Sequence, residues 1–402
     1  MNNVKLDFPI LDKKIRDKAI TYLDSAASTQ KPKQVINSIS EFLENSYENV
    51  HRGMNSLSID ATDLYEKSRD VAKNFINSNS TNEIIFTRGA TDSINIIANS
   101  LAEHLKEGDN IVVTELEHHS NYLPWMNLCK KLGLELKIIP ISKDGILSED
   151  DIINNCDDST KVLSLTHMSN VTGQILDIKK IKKSINKDTY VAVDGCQSIA
   201  HLKIDVKDLD CDFYSFSSHK LYGPSGIGIM YGKEDILNKL NPPTLGGGMI
   251  NEVSSNDFSY AMLPNKFEPG TPSIEAAIGF KTAMEYLNNN NYQDYFLNEK
   301  KLRSTLIKAL REFKEVDIYG SNEDGNATSI VSFNIKNQNF NDIATFLDQY
   351  GIMIRGGHHC CQPFMKKLGI PGSCRVSFGI YNDLNDIDHF IDSLKKTLKL
   401  LQ

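Results

Sequence analysis

The chain of 402 residues has no apolar run approaching the ~20 residues that a membrane-spanning helix requires, so a helical membrane protein is excluded. Its opening stretch, Met1 to Ile15, mixes acids with bases and lacks an apolar core, and no secretory signal peptide is expected. Excess positive charge is missing too. Lys and Arg number 44 against 52 Asp and Glu, a formal net charge of −8, which argues against a nucleic-acid partner, since that needs clustered cations. The seven cysteines are odd in number and irregularly spaced, so they supply no disulfide framework and suit a reducing compartment; the cytoplasm is expected. Internal repeats and low-complexity segments are absent. What remains is a chain with 40% hydrophobic residues, long enough for two or three structural units.

From about residue 80 to 230, strand and helix patterns alternate, the signature of a parallel sheet with crossover helices. Strands are expected over 83–86, 110–114, 135–139, 161–166, 190–193 and 212–216, with a helix over 93–105. Pro242-Pro243 and Gly246-Gly247-Gly248 break this rhythm, and a domain change is expected near residue 260. Beyond it lie helices over 274–287 and 297–313, a strand over 329–334, and a closing helix with Ile387, Phe390, Ile391, Leu394 and Leu398 on one face. The expected fold class is α/β: a large domain (20–260) around a mostly parallel sheet, and a smaller α+β domain (261–402, joined by 1–19).

Three turns carry candidate chemistry. The strand ending at Phe216 runs into Ser217, Ser218, His219 and Lys220, ahead of a loop holding Gly223, Pro224, Gly226 and Gly228. A lysine brought into a site by a strand end can lose its proton and attack an aldehyde; standing alone, the segment reads as an ordinary basic turn. The strand Tyr190 to Val193 ends at Asp194, where open α/β sheets bind ligands. Asp194 alone would suit a helix N-cap, yet a carboxylate there can also keep a pyridine nitrogen protonated. The pair Lys220 and Asp194 points to pyridoxal phosphate (PLP). Third, Thr87-Arg88-Gly89-Ala90-Thr91-Asp92 joins a strand to a helix, and a Gly-containing helix N-terminus offers free N–H groups to an anion, with hydroxyls from Thr91 and Ser217 and a donor from His219 nearby.

These segments carry a resemblance. YLDSAAST from Tyr22, FTRGATDSIN from Phe86, EHHSN from Glu117, VDGCQS from Val193, SFSSHKLYGPSGIGI from Ser215, FEPGTP from Phe267 and RGGHHCCQP from Arg355 resemble the cysteine desulfurases of PLP fold type I, in the branch serving SUF iron–sulfur assembly. The similarity spans nearly the whole chain. It implies that Lys220 holds the cofactor as a Schiff base, that Asp194 pairs with the pyridine nitrogen, that His118 stacks on the ring and that Gln197 meets its phenolic oxygen. Thr91, Ser217 and His219 would hold the phosphate, with Thr271 reaching the phosphate of a partner subunit in a homodimer. Asn170 and Arg375 would take the carboxylate of L-cysteine. Cys360 would receive the sulfur as a persulfide and pass it to an acceptor protein of the SUF system, leaving alanine; selenocysteine is a further implied substrate.

Read from the residues alone, His118 suits a surface histidine and Arg375 a surface ion pair as readily as a site. His358-His359-Cys360-Cys361 invites a metal reading, but four consecutive residues cannot easily wrap a tetrahedral ion, and no metal is expected. A free thiol is only about 3% thiolate at pH 7, so the positive charge of Arg355 and the histidines favours reactivity. Cys361 and Gly356 depart from the family's commoner pattern. On an extended segment adjacent thiols point opposite ways, which leaves one of Cys360 and Cys361 facing the site. Asn341 stands where relatives that use a zinc-containing acceptor carry a histidine, a sign of the other acceptor type. Cys374 reads as packing, and Cys129, Cys156, Cys196 and Cys211 form no cluster. An aminotransferase or epimerase of the same fold would leave Cys360 without a role, and a sulfur or metal carrier would leave Lys220 without one.

Overall fold

The computed structural model describes residues 4–290, 292–320 and 326–401; Met1 to Asn3 of the segment expected to join the small domain lie outside the described residues. A seven-stranded sheet forms the centre. Its strands are β1 (Ile84–Thr87), β2 (Asn110–Thr114), β3 (Glu135–Ile139), β4 (Thr160–Thr166), β5 (Tyr190–Asp194), β6 (Phe213–Ser217) and β7 (Gly228–Gly232). Their spatial order is β1-β7-β6-β5-β4-β2-β3. β3, β2, β4, β5 and β6 run parallel, and β7 runs antiparallel to both β6 and β1. Since β1 thereby shares the direction of β6, the turns after β1, β2, β4, β5 and β6 all open on one edge of the sheet.

The inner strands of this mostly parallel sheet are buried on both faces, as the runs Ile111-Val112-Val113 and Val191-Ala192-Val193 require, while the edge strand β3 is half-exposed. The strand β7 starts at Gly228, the last glycine of the expected loop, and has no counterpart among the expected strands. Gly228 starts it for a steric reason: a Cβ there would meet Gly89 Cα and Phe216 O, both at 2.6 Å. The close approach presses β7 under the turn leading into the next helix.

Helices α1 (Lys33–Asn45) and α2 (Ser56–Phe75) precede the sheet, and α3 (Ala90–Leu101) and α4 (His119–Leu132) follow β1 and β2. The helix expected over 93–105 starts at Ala90 and gives way at Ala102 to a single 3₁₀ turn. α5 (Ile274–Asn289) packs on α1 and α2. α6 (Tyr292–Leu310) leads to a four-stranded antiparallel sheet of β8 (Val316–Tyr319), β9 (Ile330–Ile335), β10 (Arg355–Gly357) and β11 (Ser373–Ser377), ordered β8-β9-β11-β10. α7 (Phe340–Asp348), α8 (Gln362–Leu368) and α9 (Leu384–Leu401) complete the chain. α9 buries Ile387, Phe390, Ile391 and Leu394 against this second sheet, and Leu398 lies at its margin. The N-terminal segment crosses over: Thr21–Tyr22 pairs in parallel with Ile352–Met353. That crossing carries Asp24 between the two sheets.

Among the described residues no helix is long and apolar enough to cross a membrane.

Candidate active site

The shared edge of the central sheet forms one wall of a cavity of about 340 Å³, and the second sheet forms the other. Thr91, His118, Asn170, Asp194, Gln197, Ser217, His219, Lys220, Cys360 and Arg375 all line it, so ten of the eleven residues singled out in the sequence meet in one place. Thr271 does not. It lies exposed in a neighbouring groove of about 330 Å³ with Arg88, Pro243 and Glu268. An open channel past Arg88, Thr91, His219 and Thr244 borders both spaces.

Each side chain is placed by its element. Asp194 ends β5 and is buried, its Oδ1 accepting the Cys196 N–H at 2.9 Å. It therefore caps a turn while still lining the cavity. β6 ends at Ser217, and a 3₁₀ turn over Ser218–Lys220 swings Lys220 into the same space. Ser217 Oγ accepts the Ala90 N–H at 2.8 Å, tying β6 to the first turn of α3. Gly89 at φ 148 leads into that helix, in a conformation that only glycine adopts freely. Gln197 is buried, with Nε2 donating to Ala26 O at 2.9 Å.

His118 caps α4, its Nδ1 accepting the Ser120 N–H at 3.1 Å, so the ring carries its proton on Nε2. Burial, with the Lys220 charge second, lowers its pKa to about 3, which keeps it neutral at working pH. Buried Glu117 secures this turn by accepting from Thr114 Oγ1, the Thr166 N–H and Asn121 Nδ2 at 2.8, 3.1 and 2.6 Å. His219 is likewise held neutral, its pKa lowered to about 4 by burial and then by Lys220.

Arg375 enters from β11. It donates through Nη1 to Asn170 O at 2.9 Å and through Nη2 to Asp24 Oδ1 at 3.1 Å, while its buried Nε has no partner. Arg375 lines the cavity, and a guanidinium there fits an anionic ligand. Asp24 also accepts from Arg355 Nε and Nη2 at 3.0 and 2.9 Å, so one carboxylate organises two arginines. Sequence reading missed this role. Asp24 lies in a quoted motif, but its partners are 331 and 351 residues away and nothing local announces them.

The two vicinal cysteines part completely. The segment is kinked rather than extended: His359 and Cys360 have φ of 52° and 54°, two successive non-glycine residues in the left-handed region, at a cost on the order of 1–3 kcal/mol each. Cys360 is exposed to the cavity, whereas Cys361 is buried with Sγ donating to Glu115 O at 3.7 Å. Burial pushes the Cys361 thiol far up and keeps it protonated. His359 turns inward, its Nε2 near Ser373 Oγ and O at 3.0 and 3.1 Å, and burial lowers its pKa to about 2. Among the described residues no group of three or more His, Cys, Asp or Glu is arranged to hold a metal ion.

The profile of the class-V aminotransferase family matches residues 21–390, and the chain belongs to that family. Among similar proteins, a probable cysteine desulfurase of Staphylococcus epidermidis is 44% identical over 393 residues, covering 97% of this chain and 95% of that one. The corresponding protein of Staphylococcus aureus is 43% identical over 399 residues, covering 99% and 96%. Among solved structures, the apo cysteine desulfurase of Thermococcus onnurineus superposes with a TM-score of 0.93 at 36% identity, covering 98% of this chain and 97% of that one. The cysteine desulfurase CsdA of Escherichia coli gives 0.90 at 33%, covering 98% of both. PLP is the cofactor of this family, and the residues present fit it: a lysine, a carboxylate at a strand end, a neutral aromatic ring, and a glycine-led helix N-terminus with three side-chain donors on one cavity.

Proposed function

We infer that the protein is a PLP-dependent cysteine desulfurase, converting L-cysteine to L-alanine and carrying the sulfur away on Cys360. The observation that carries this reading is the exposed Cys360 thiol on the same cavity as Lys220, Asp194 and Arg375. An aminotransferase or epimerase has no use for a thiol there.

Lys220 would hold the aldehyde carbon of PLP, Asp194 the pyridine nitrogen, His118 the ring face and Gln197 the phenolic oxygen. Thr91, Ser217 and His219 would take the phosphate. When bound, PLP supplies an electron sink for the bonds at the substrate Cα. The residues then divide the work. Arg375 and Asn170 hold the substrate carboxylate. The Lys220 amine, freed when substrate binds, takes the Cα proton. The Cys360 thiolate attacks the substrate sulfur, so that an S–S bond forms as the Cβ–S bond breaks. The electron pair left on Cβ takes a proton and gives the methyl group of alanine.

We further assign a homodimer, with Thr271 serving the partner's phosphate site. Its position outside the Lys220 cavity supports this, as do the exposed apolar side chains Leu245, Val253, Phe258 and Met262 around the hairpin 250–260. The acceptor proposed is a protein of the SUF type that does not bring zinc, on the strength of Asn341, and selenocysteine is a second substrate. Seven free thiols support a reducing, cytoplasmic setting.

The test is direct. Yellow purified protein given L-cysteine should form alanine without any 2-oxo acid, with sulfide appearing only when reductant is present. Borohydride reduction and peptide mapping should mark Lys220. A mark on Lys203 or Lys233, or alanine formation that depends on an oxo acid, would refute the reading.

A further inference from the structure

We propose that His119 is a positioning residue for Cys360, its backbone and ring together gripping the chain on both sides of Cys361, where it leaves the thiol-bearing turn. The proposal rests on the reading that Cys360 accepts the sulfur. The His119 backbone N–H donates to Cys360 O at 2.7 Å, a bond that every variant keeps, and the ring Nε2 accepts the Gln362 N–H at 3.2 Å, the bond that the variants remove. One residue thereby holds the peptide group leaving Cys360 and the one entering Gln362. From the other side the Cys360 N–H donates to His358 Nδ1 at 3.1 Å, and Asn170 Nδ2 donates to His359 O at 2.7 Å.

Such a clamp has work to do. Two successive left-handed residues, neither a glycine, relax unless their surroundings over-determine them. His119 is also the first residue of α4, directly after His118, which lines the cavity. The helix that presents the ring-facing histidine is therefore the one that fixes the thiol. Because Nε2 accepts a hydrogen bond, the ring must be neutral with its proton on Nδ1; burial and the neighbouring His358 hold its pKa below the ordinary value. The His119 and His358 rings lie 5.7 Å apart, closing the turn from outside.

Two substrates separate this role from general support of the site. With L-cysteine the sulfur leaves only if Cys360 meets it: the S–S bond forms, the Cβ–S bond breaks, and the pair stays on Cβ to be protonated. With L-cysteine sulfinate the Cβ–S bond breaks with loss of neutral SO2, the pair again stays on Cβ, and no enzyme thiol takes part. Misplacing the thiol harms the first reaction alone.

The experiment measures alanine formation from both substrates by the PLP-loaded enzyme and its variants. H119A and H119N, the second polar but too short to reach Gln362 N, should lose about ten-fold or more in kcat on cysteine. Both should stay within about two-fold of wild type on the sulfinate. H119Q, whose amide oxygen reaches as far as Nε2, should recover most of the cysteine activity. An equal fall on both substrates, no fall on cysteine, or H119N performing as well as H119Q would overturn the proposal. C360A serves as the control on the underlying reading. Should C360A still turn over cysteine, the thiol assignment fails and the His119 role fails with it.

Discussion

Cys360 and Cys361 share a peptide bond and differ in everything that governs reactivity. One thiol is exposed on the cavity; the other is sealed against Glu115 O, with burial holding its proton in place. Cys360→Ala is therefore expected to bind L-cysteine, with a change in absorbance, and form almost no alanine. Cys361→Ala should keep most turnover and lose about 1 kcal/mol of stability. Mass spectrometry after cysteine treatment should find the added sulfur on Cys360, and a label on Cys361 would reverse the assignment. Histidines give the second residue-scale expectation. His167 is fully buried beside the Tyr214 hydroxyl at 3.0 Å, and burial lowers its pKa to about 4 from 6.5. Between those values the unfolded chain binds a proton that the folded chain refuses, so stability falls as pH drops from about 6.5 to about 4. H167Q should remove roughly 1.4 kcal/mol per pH unit from the slope of unfolding free energy across that window. Urea titrations at several pH values would show it, and identical slopes would count against a neutral buried His167.

At the scale of elements, the loop carrying Thr271 hangs on one ion pair. Arg69 of α2 is fully buried; it donates to Glu268 through Nη1 at 2.6 Å and Nη2 at 2.9 Å, and Glu268 also accepts the Phe86 N–H of β1 at 2.7 Å. Glu268→Ala would leave the buried guanidinium paired only with half-exposed Glu66, 2.9 Å from Arg69 Nε, an expected loss by denaturant unfolding below the ~3–5 kcal/mol of a wholly unpaired buried charge. PLP retention should weaken as well, since Pro269 to Thr271 lose their anchor. A variant as stable as wild type would show the pair to be dispensable. Elements of this kind mark the limit of what was legible in the sequence. The strands β2 and β3 stand at the residues expected, because local apolar runs decide them. Eight of the ten cavity residues were likewise legible, since each sits at a strand end or in a quoted motif, whereas Asn170 and Arg375 came from the family resemblance alone. Asp24 was not, nor the Arg69–Glu268 pair, because their partners are fixed only by the packed fold. β7 was hidden for the opposite reason: Gly228, one of the glycines that suggested a loop, is there to let Gly89 and Phe216 approach. Gly356 tells a similar story. A Cβ there would meet Asn341 Oδ1 at 2.9 Å and Phe340 O at 3.0 Å, so this departure from the family's commoner pattern lets the start of α7 sit close against β10.

For the whole molecule, the proposed dimer should be visible by light scattering, and Thr271→Ala should weaken PLP retention while leaving the colour of the bound cofactor unchanged; a fully active monomer would refute it. The placement of Thr271 beyond the cavity walls has a genetic consequence. If that hydroxyl serves only the neighbour, a Lys220→Ala chain and a Thr271→Ala chain are defective at different addresses. In a mixed pair, the chain that keeps Lys220 receives an intact Thr271 from its mate, and the other chain gathers both lesions. Co-purified mixed dimers should thus hold one cofactor as firmly as wild type, an intragenic complementation between alleles that each fail alone. Retention no better than the average of the two parental dimers would place Thr271 in service of its own chain. Where complementation holds, the unit that mutation damages and selection repairs is the pair of chains.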